Sequence, residues 1–154
     1  MKEYIMMGKQ IESLAELNEH WLPVMANSAA LIYDTLNDVN WAGFYLVKGS
    51  KLILGPFKGK VACVEIEKGR GVCGTAFETK KTVLVRDVHE FPGHIACDAA
   101  SESEIVIPLI NDGEVFAVLD IDSPRSGRFD DKDREGLERL GKIIEKSIKE
   151  YPKI

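Results

Sequence analysis

The chain has 154 residues, with 25 acidic against 20 basic side chains and a net charge of -5, a length that supports one domain with a real core. No Lys/Arg cluster offsets the acidic balance, which argues against a nucleic-acid or anionic-membrane surface, and no apolar run approaches the ~20 residues of a bilayer span. The opening MKEYIMMGKQ is too short and too polar for a signal-peptide core, so the expected address is cytoplasmic and reducing, where three cysteines read as thiols rather than as a disulfide framework.

In chain order, the first third is helical in pattern: Ile11, Leu14, Ala15 and Leu17 recur at helical spacing, and Pro23 should break or restart the helix before a second run through Leu36. At Trp41 the period changes to two. WAGFYLV, a Lys48-Gly49-Ser50 turn and KLILGPF predict a hairpin. Short strands are expected around Val61–Ile66 and Thr82–Val85, and a last hairpin runs EIVIPLI, Asn111-Asp112-Gly113, EVFAVLDI. From Asp130 the tail predicts a capped helix with acidic residues in its first turn and Leu137, Leu140, Ile144 and Ile148 in one apolar stripe. There is no internal repeat, low-complexity tract or linker. Residues 1–154 therefore read as a single α+β domain, with terminal helices packed on one face of a meandering antiparallel sheet.

Register decides where the acids of the last hairpin go. Ile105, Ile107 and Leu109 alternate on one strand, and Val115, Ala117, Leu119 and Ile121 on the other. Cross-strand partners share a face, so both sets are buried together only with an odd-length loop. A three-residue Asn111-Asp112-Gly113 loop with Gly113 left-handed supplies it. That register sets Glu104 opposite Asp120 on the other face, with Asp122 two residues along, while Trp41, Gly43 and Tyr45 share one face of the first strand. Such a row suits a ligand face, although a face that merely meets water would carry the same alternation. Neighbouring carboxylates repel when both are ionised, so one retains a proton near neutral pH. A site of this kind can protonate a leaving oxygen and also hold a substrate ammonium.

Three other patterns compete. GRGVCG, from Gly69 to Gly74, matches G-x-G-x-x-G, but the following TAFETKK is too short for a crossover helix and no alternating βα units surround it. A tight turn at a helix start is the favoured reading. Cys63, Cys73, His89, His94 and Cys97 could supply a zinc site, yet no C-x-x-C pair is present. His94 could activate Cys97 as a thiolate, against the plainer reading of a hydrogen-bonding loop residue.

GVCGTA, DVHEFPGHIACDAASESEIVIPL and VLDIDSP closely resemble the free methionine-(R)-sulfoxide reductases, a branch of the GAF-domain fold. The resemblance runs from about Trp41 to Phe129, with compatible helices on both sides. It implies a GAF-like, six-stranded antiparallel sheet, with the N- and C-terminal helices on one face and a small ligand pocket on the other. It implies reduction of free methionine sulfoxide at the expense of thioredoxin. By position, Cys97 matches the nucleophile and Cys63 the resolving thiol, with Cys73 a second candidate resolver. Glu104, Asp120 and Asp122 match the pocket acids, and Trp41 and Tyr45 the aromatic wall.

The expected chemistry is attack of the Cys97 thiolate on the sulfoxide sulfur, with a protonated Glu104 or Asp122 making the oxygen a leaving group. The resulting sulfenic acid condenses with Cys63, and an external dithiol reduces the disulfide. No metal or organic cofactor is needed. Buried packing is the plain alternative for Cys63 and Cys73. A small-molecule-sensing GAF module without catalysis is the rival reading, and a general thiol peroxidase would share the cysteines without explaining the acids. The sequence leaves open which thiol attacks first and the oligomeric state, a homodimer included.

Overall fold

The computed structural model describes residues 1–94 and 100–154. Helix α1 spans Lys2–Ala15 and buries Tyr4, Met7, Gly8, Ile11 and Ala15, a stripe at spacings of three and four. Leu14 and Leu17 depart from expectation at 42% and 83% exposure. The stripe runs through Ile11 and Ala15, which leaves Leu14 to one side, and Leu17 lies beyond the helix end. Helix α2 spans Trp21–Thr35 and begins on His20, whose Nδ1 accepts from the Leu22 amide at 3.1 Å. Pro23 sits in the first turn of α2, where an amide would have no helical partner anyway. It restarts the helix rather than breaking it.

The sheet follows. Strand β1 (Trp41–Lys48) turns through Gly49 and Ser50 into β2 (Lys51–Gly59). Strand β3 is only Glu65–Glu67, so Val61–Val64 are irregular rather than the start of a strand. Helix α3 (Gly71–Thr79) leads to β4 (Val83–Val85), and the hairpin β5 (Ser103–Asn111) and β6 (Glu114–Ser123) precedes helix α4 (Asp131–Ser147). The six strands are ordered β3-β2-β1-β6-β5-β4, with every neighbouring pair antiparallel.

The β5–β6 register differs from the expected one in an instructive way. Asn111 pairs with Glu114, so the turn has two residues, Asp112 and Gly113, both at positive φ (51° and 77°). That is the primed-turn signature of a tight hairpin. A two-residue turn alone would put the apolar sets on opposite faces. The ladder then skips Phe116: Ile110 pairs with Val115 and Leu109 with Ala117. This bulge restores the parity. Ile105, Ile107 and Leu109 therefore do share a face with Ala117, Leu119 and Ile121, while Val115, on the turn side of the bulge, joins the opposite face. Glu104 faces Asp122 rather than Asp120, and Asp120 faces Val106.

Two apolar layers result. On one face α1, α2 and α4 cover Ala42, Phe44, Leu46 and the β5–β6 set; on the other Tyr45, Val106 and Val118 pack with residues of α3. Asp130 caps α4 in a reciprocal capping box with Asp133. Leu137, Leu140, Ile144 and Ile148 are all buried. The Tyr4 hydroxyl donates to Asp133, tying α1 to the start of α4. Among the described residues no helix is long and apolar enough to cross a membrane.

Candidate active site

The cavity opens on the sheet face away from α1, α2 and α4. The pleat sets its floor: Trp41 pairs with Asp122, Gly43 with Asp120 and Tyr45 with Val118. Side chains directly across an antiparallel pair point the same way, so the β1 aromatics and the β6 acids converge. Gly43 is required here, because a Cβ would come within 2.3 Å of the Phe57 Cβ. Without it Phe57 lies over Gly43 and stacks on Trp41, with ring centroids 5.2 Å apart; Tyr45 stacks on the same indole at 5.9 Å. The aromatic wall also fixes the next segment. Trp41 Nε1 donates to the Lys60 carbonyl and the Tyr45 hydroxyl to the Cys63 carbonyl, each at 3.1 Å. Cys63 forms a disulfide, and Cys73 is a free, buried thiol.

The GRGVCG segment forms the opposite wall. Gly69 and Gly71 take positive φ (81° and 62°), the Gly69 amide bonds the Gly74 carbonyl, and a Cβ on Gly74 would approach the Glu67 carbonyl to 2.6 Å. The glycines thus serve a tight turn into a nine-residue helix beside an antiparallel sheet, and the dinucleotide reading falls. Gly71, Val72 and Cys73, the first turn of α3, line the cavity with Arg70.

Cys73 Sγ donates to Glu104 Oε2 at 3.9 Å, and single ligand atoms of Cys73, Glu104 and Asp120 all lie within 4.8 Å of one another. Burial pushes the Glu104 carboxyl well above its ordinary range, and the charge of Asp122 adds to the shift. Asp120 is likewise raised, first by burial and then by Glu104. Burial raises the Cys73 thiol too, with Asp120 next in effect. Burial and the neighbouring like charges thus both favour the protonated forms in this centre. Asp120 Oδ1 is buried with no hydrogen-bond partner among the described residues, a cost that a cationic ligand would relieve. His94 points at this centre, its Nε2 3.7 Å from Glu104 Oε1, and burial lowers its pKa.

Of the expected site residues, Trp41, Tyr45, Cys73, Glu104, Asp120 and Asp122 line one cavity. Cys63 lies next to Ala62 on its rim, held by Tyr45. Cys97 lies outside the described residues. Of the zinc set, Cys63 has no thiolate to offer, His89 bonds Glu102 at 3.0 Å, and His94 faces Glu104. Among the described residues these groups do not converge on one ion. The side chains of Arg70 and Ser101 also line the cavity and were missed. Arg70 precedes α3 inside the glycine turn, a position that turn could have flagged; nothing in the pattern marks Ser101.

The GAF-domain family model matches residues 28–149. The free methionine-R-sulfoxide reductase of Escherichia coli is 50% identical over 145 residues, covering 94% of this chain and 88% of that protein. The chain belongs to the free methionine-R-sulfoxide reductase family. The fRMsr of Staphylococcus aureus, solved as a complex with substrate, is 51% identical at a TM-score of 0.89, covering 94% of this chain and 95% of that one. The GAF domain of a phosphoenolpyruvate-protein phosphotransferase from Coxiella burnetii superposes at a TM-score of 0.83 with 14% identity, covering 95% and 92%. That second likeness carries the fold alone. What sets the reductase family member apart from a bare GAF fold must lie in its site.

Proposed function

We propose that this protein reduces free L-methionine (R)-S-oxide to L-methionine through a cysteine nucleophile, a sulfenic acid and an intramolecular disulfide that thioredoxin recycles. The observation that carries the proposal is the buried acid centre beneath an aromatic wall, with one carboxylate oxygen that has no partner among the described residues, beside a disulfide-bonded Cys63.

Each part of a free amino acid has a counterpart in this cavity. The α-ammonium pairs with Asp120, whose Oδ1 lacks a donor. The α-carboxylate meets the first turn of α3, where amides without helical partners and the helix dipole favour an anion, near Arg70. The thioether methyl packs against Trp41 and Tyr45. Glu104, whose protonated form burial favours, faces the sulfoxide oxygen together with Asp122.

Cys97 attacks the sulfoxide sulfur as a thiolate while the acid donates a proton to the oxygen. The S–S bond so formed and the S–O bond then break: the protonated oxygen transfers to the Cys97 sulfur, the S–S electron pair returns to the methionine sulfur, and methionine leaves with Cys97 as a sulfenic acid. Cys63 then displaces water from that sulfur to give a Cys63–Cys97 disulfide. In support of that assignment, Cys63 is already oxidised while Cys73 is a thiol. The Cys73 sulfur is occupied instead with Glu104, where burial keeps it protonated and a poor resolving nucleophile.

The test is a single turnover of reduced protein with one equivalent of methionine (R)-sulfoxide. Wild type forms methionine and loses two titratable thiols. Cys97→Ser forms none, and a burst of product from this variant would reassign the nucleophile. Cys63→Ser keeps the single turnover and loses thioredoxin-driven cycling; undiminished steady-state rates would move the resolving role to Cys73.

A further inference from the structure

Two of the three most exposed large apolar side chains among the described residues flank Cys63: Val61 at 88% and Val64 at 71%, against 83% for Leu17. Their exposure is not that of a loose loop. The segment is held through its main chain, by the bonds of Trp41 Nε1 to the Lys60 carbonyl, of the Tyr45 hydroxyl to the Cys63 carbonyl, and of the Leu54 amide to the Val64 carbonyl at 3.0 Å. Neither valine serves a strand, since β3 starts only at Glu65. The segment therefore displays two branched apolar side chains in a fixed pose, on either side of a sulfur that must be reduced in every cycle. Of the adjacent charges, Glu65 and Glu67 share one cation, Lys51, at 3.3 and 3.8 Å.

We propose that Val61 and Val64 form the docking rim for a protein dithiol reductant whose reactive thiol is itself surrounded by apolar surface, and that Cys63 is the sulfur it attacks. The inference rests on the reductase reading above. A thiolate of the reductant attacks Cys63 Sγ, and the existing S–S bond breaks with its electron pair leaving on the other protein sulfur. The reductant's second thiolate then attacks its own partner sulfur in the mixed disulfide and releases Cys63 as a thiolate. Two electrons pass to the protein, and the protons lost by the two attacking thiols balance those gained by the two released. The valines lower the cost of that encounter because they are desolvated against an apolar rim rather than against charge.

The variants that test this are Val64→Lys and Val64→Glu, chosen because Val61 also reaches the cavity. Each is assayed with saturating methionine (R)-sulfoxide and either thioredoxin or dithiothreitol as reductant. The expected result is a fall of about tenfold or more in kcat/KM for thioredoxin with both charges, and dithiothreitol rates within about twofold of wild type. Unchanged thioredoxin kinetics would overturn the docking rim. So would an equal loss with dithiothreitol, which would mean that the Cys63 segment itself had shifted. A loss with one sign of charge only would replace apolar docking by electrostatic steering. A change in oligomeric state by light scattering would assign the valines to a contact between copies. Wild type that cycles with dithiothreitol but not thioredoxin overturns the partner class, whereas wild type inactive with both overturns the reductase reading itself.

Discussion

Glu104 and Asp120 are 7% and 5% exposed, and any ionised charge they carry works against the folded state. Their folded-state pKa values are raised above those of the unfolded chain, so between the two values the folded protein binds more protons. Stability therefore falls as pH rises through that window, the reverse of a salt-bridged carboxylate. Glu104→Gln should accordingly unfold at higher urea than wild type at pH about 8, by the equivalent of about 1–2 kcal/mol, and the gap should close towards pH about 4–5. An equal gap at both pH values would mean that the carboxyl is not the source. Parity along β5 and β6 was enough to bring these acids and the β1 aromatics to one face. The unpartnered Asp120 Oδ1 and the contact of Cys73 with Glu104 were not legible, because both depend on how α3 docks from a distant part of the chain.

At the scale of elements, the α1–α4 crossing shows why a helix tolerates a glycine. In α4, Gly136 lies against the Tyr4 ring, and a Cβ there would sit 2.3 Å from Tyr4 Cδ2. Helix propensity favours Gly136→Ala by about 1 kcal/mol. The ring must move to admit the methyl, however, and its hydroxyl anchors Asp133, which closes the α4 capping box and takes Arg128 at 3.2 Å. Overpacking should win, with a net loss of about 1–3 kcal/mol in chemical denaturation. KM for the sulfoxide should not change, since α4 covers the face opposite the cavity. A more stable Gly136→Ala would show that Tyr4 repacks freely. Helices α2 and α4 and the first hairpin were legible from period, proline position and capping. The last hairpin was legible only in parity: Asn111-Asp112-Gly113 suits either a two- or a three-residue loop. What accompanies the shorter turn is a non-local contact, the extra residue Phe116 packing edge-on against Tyr151 at 5.0 Å.

Over the whole molecule, one sheet separates two tasks. The face under α1, α2 and α4 holds the larger apolar core, and the other face is left to a cavity walled by α3 and the Lys60–Cys63 segment. The same architecture recurs at 14% identity, so the fold by itself does not define the site. The acids are buried with raised pKa values, and their ionised forms are unfavourable to folding. The proposed function accounts for their presence by a ligand that brings its own cation. Free methionine sulfoxide does so and peptide-bound methionine sulfoxide does not, and on the function proposed above the α-ammonium is the feature that would select the substrate. The most direct measurement is kcat/KM for methionine (R)-sulfoxide and for its N-acetyl derivative, in wild type and in Asp120→Asn. The account predicts a preference for the free amino acid of roughly ten- to a hundred-fold or more in wild type, the worth of a charge-assisted hydrogen bond, and a much smaller one in Asp120→Asn. Equal rates on the two substrates in wild type would contradict it.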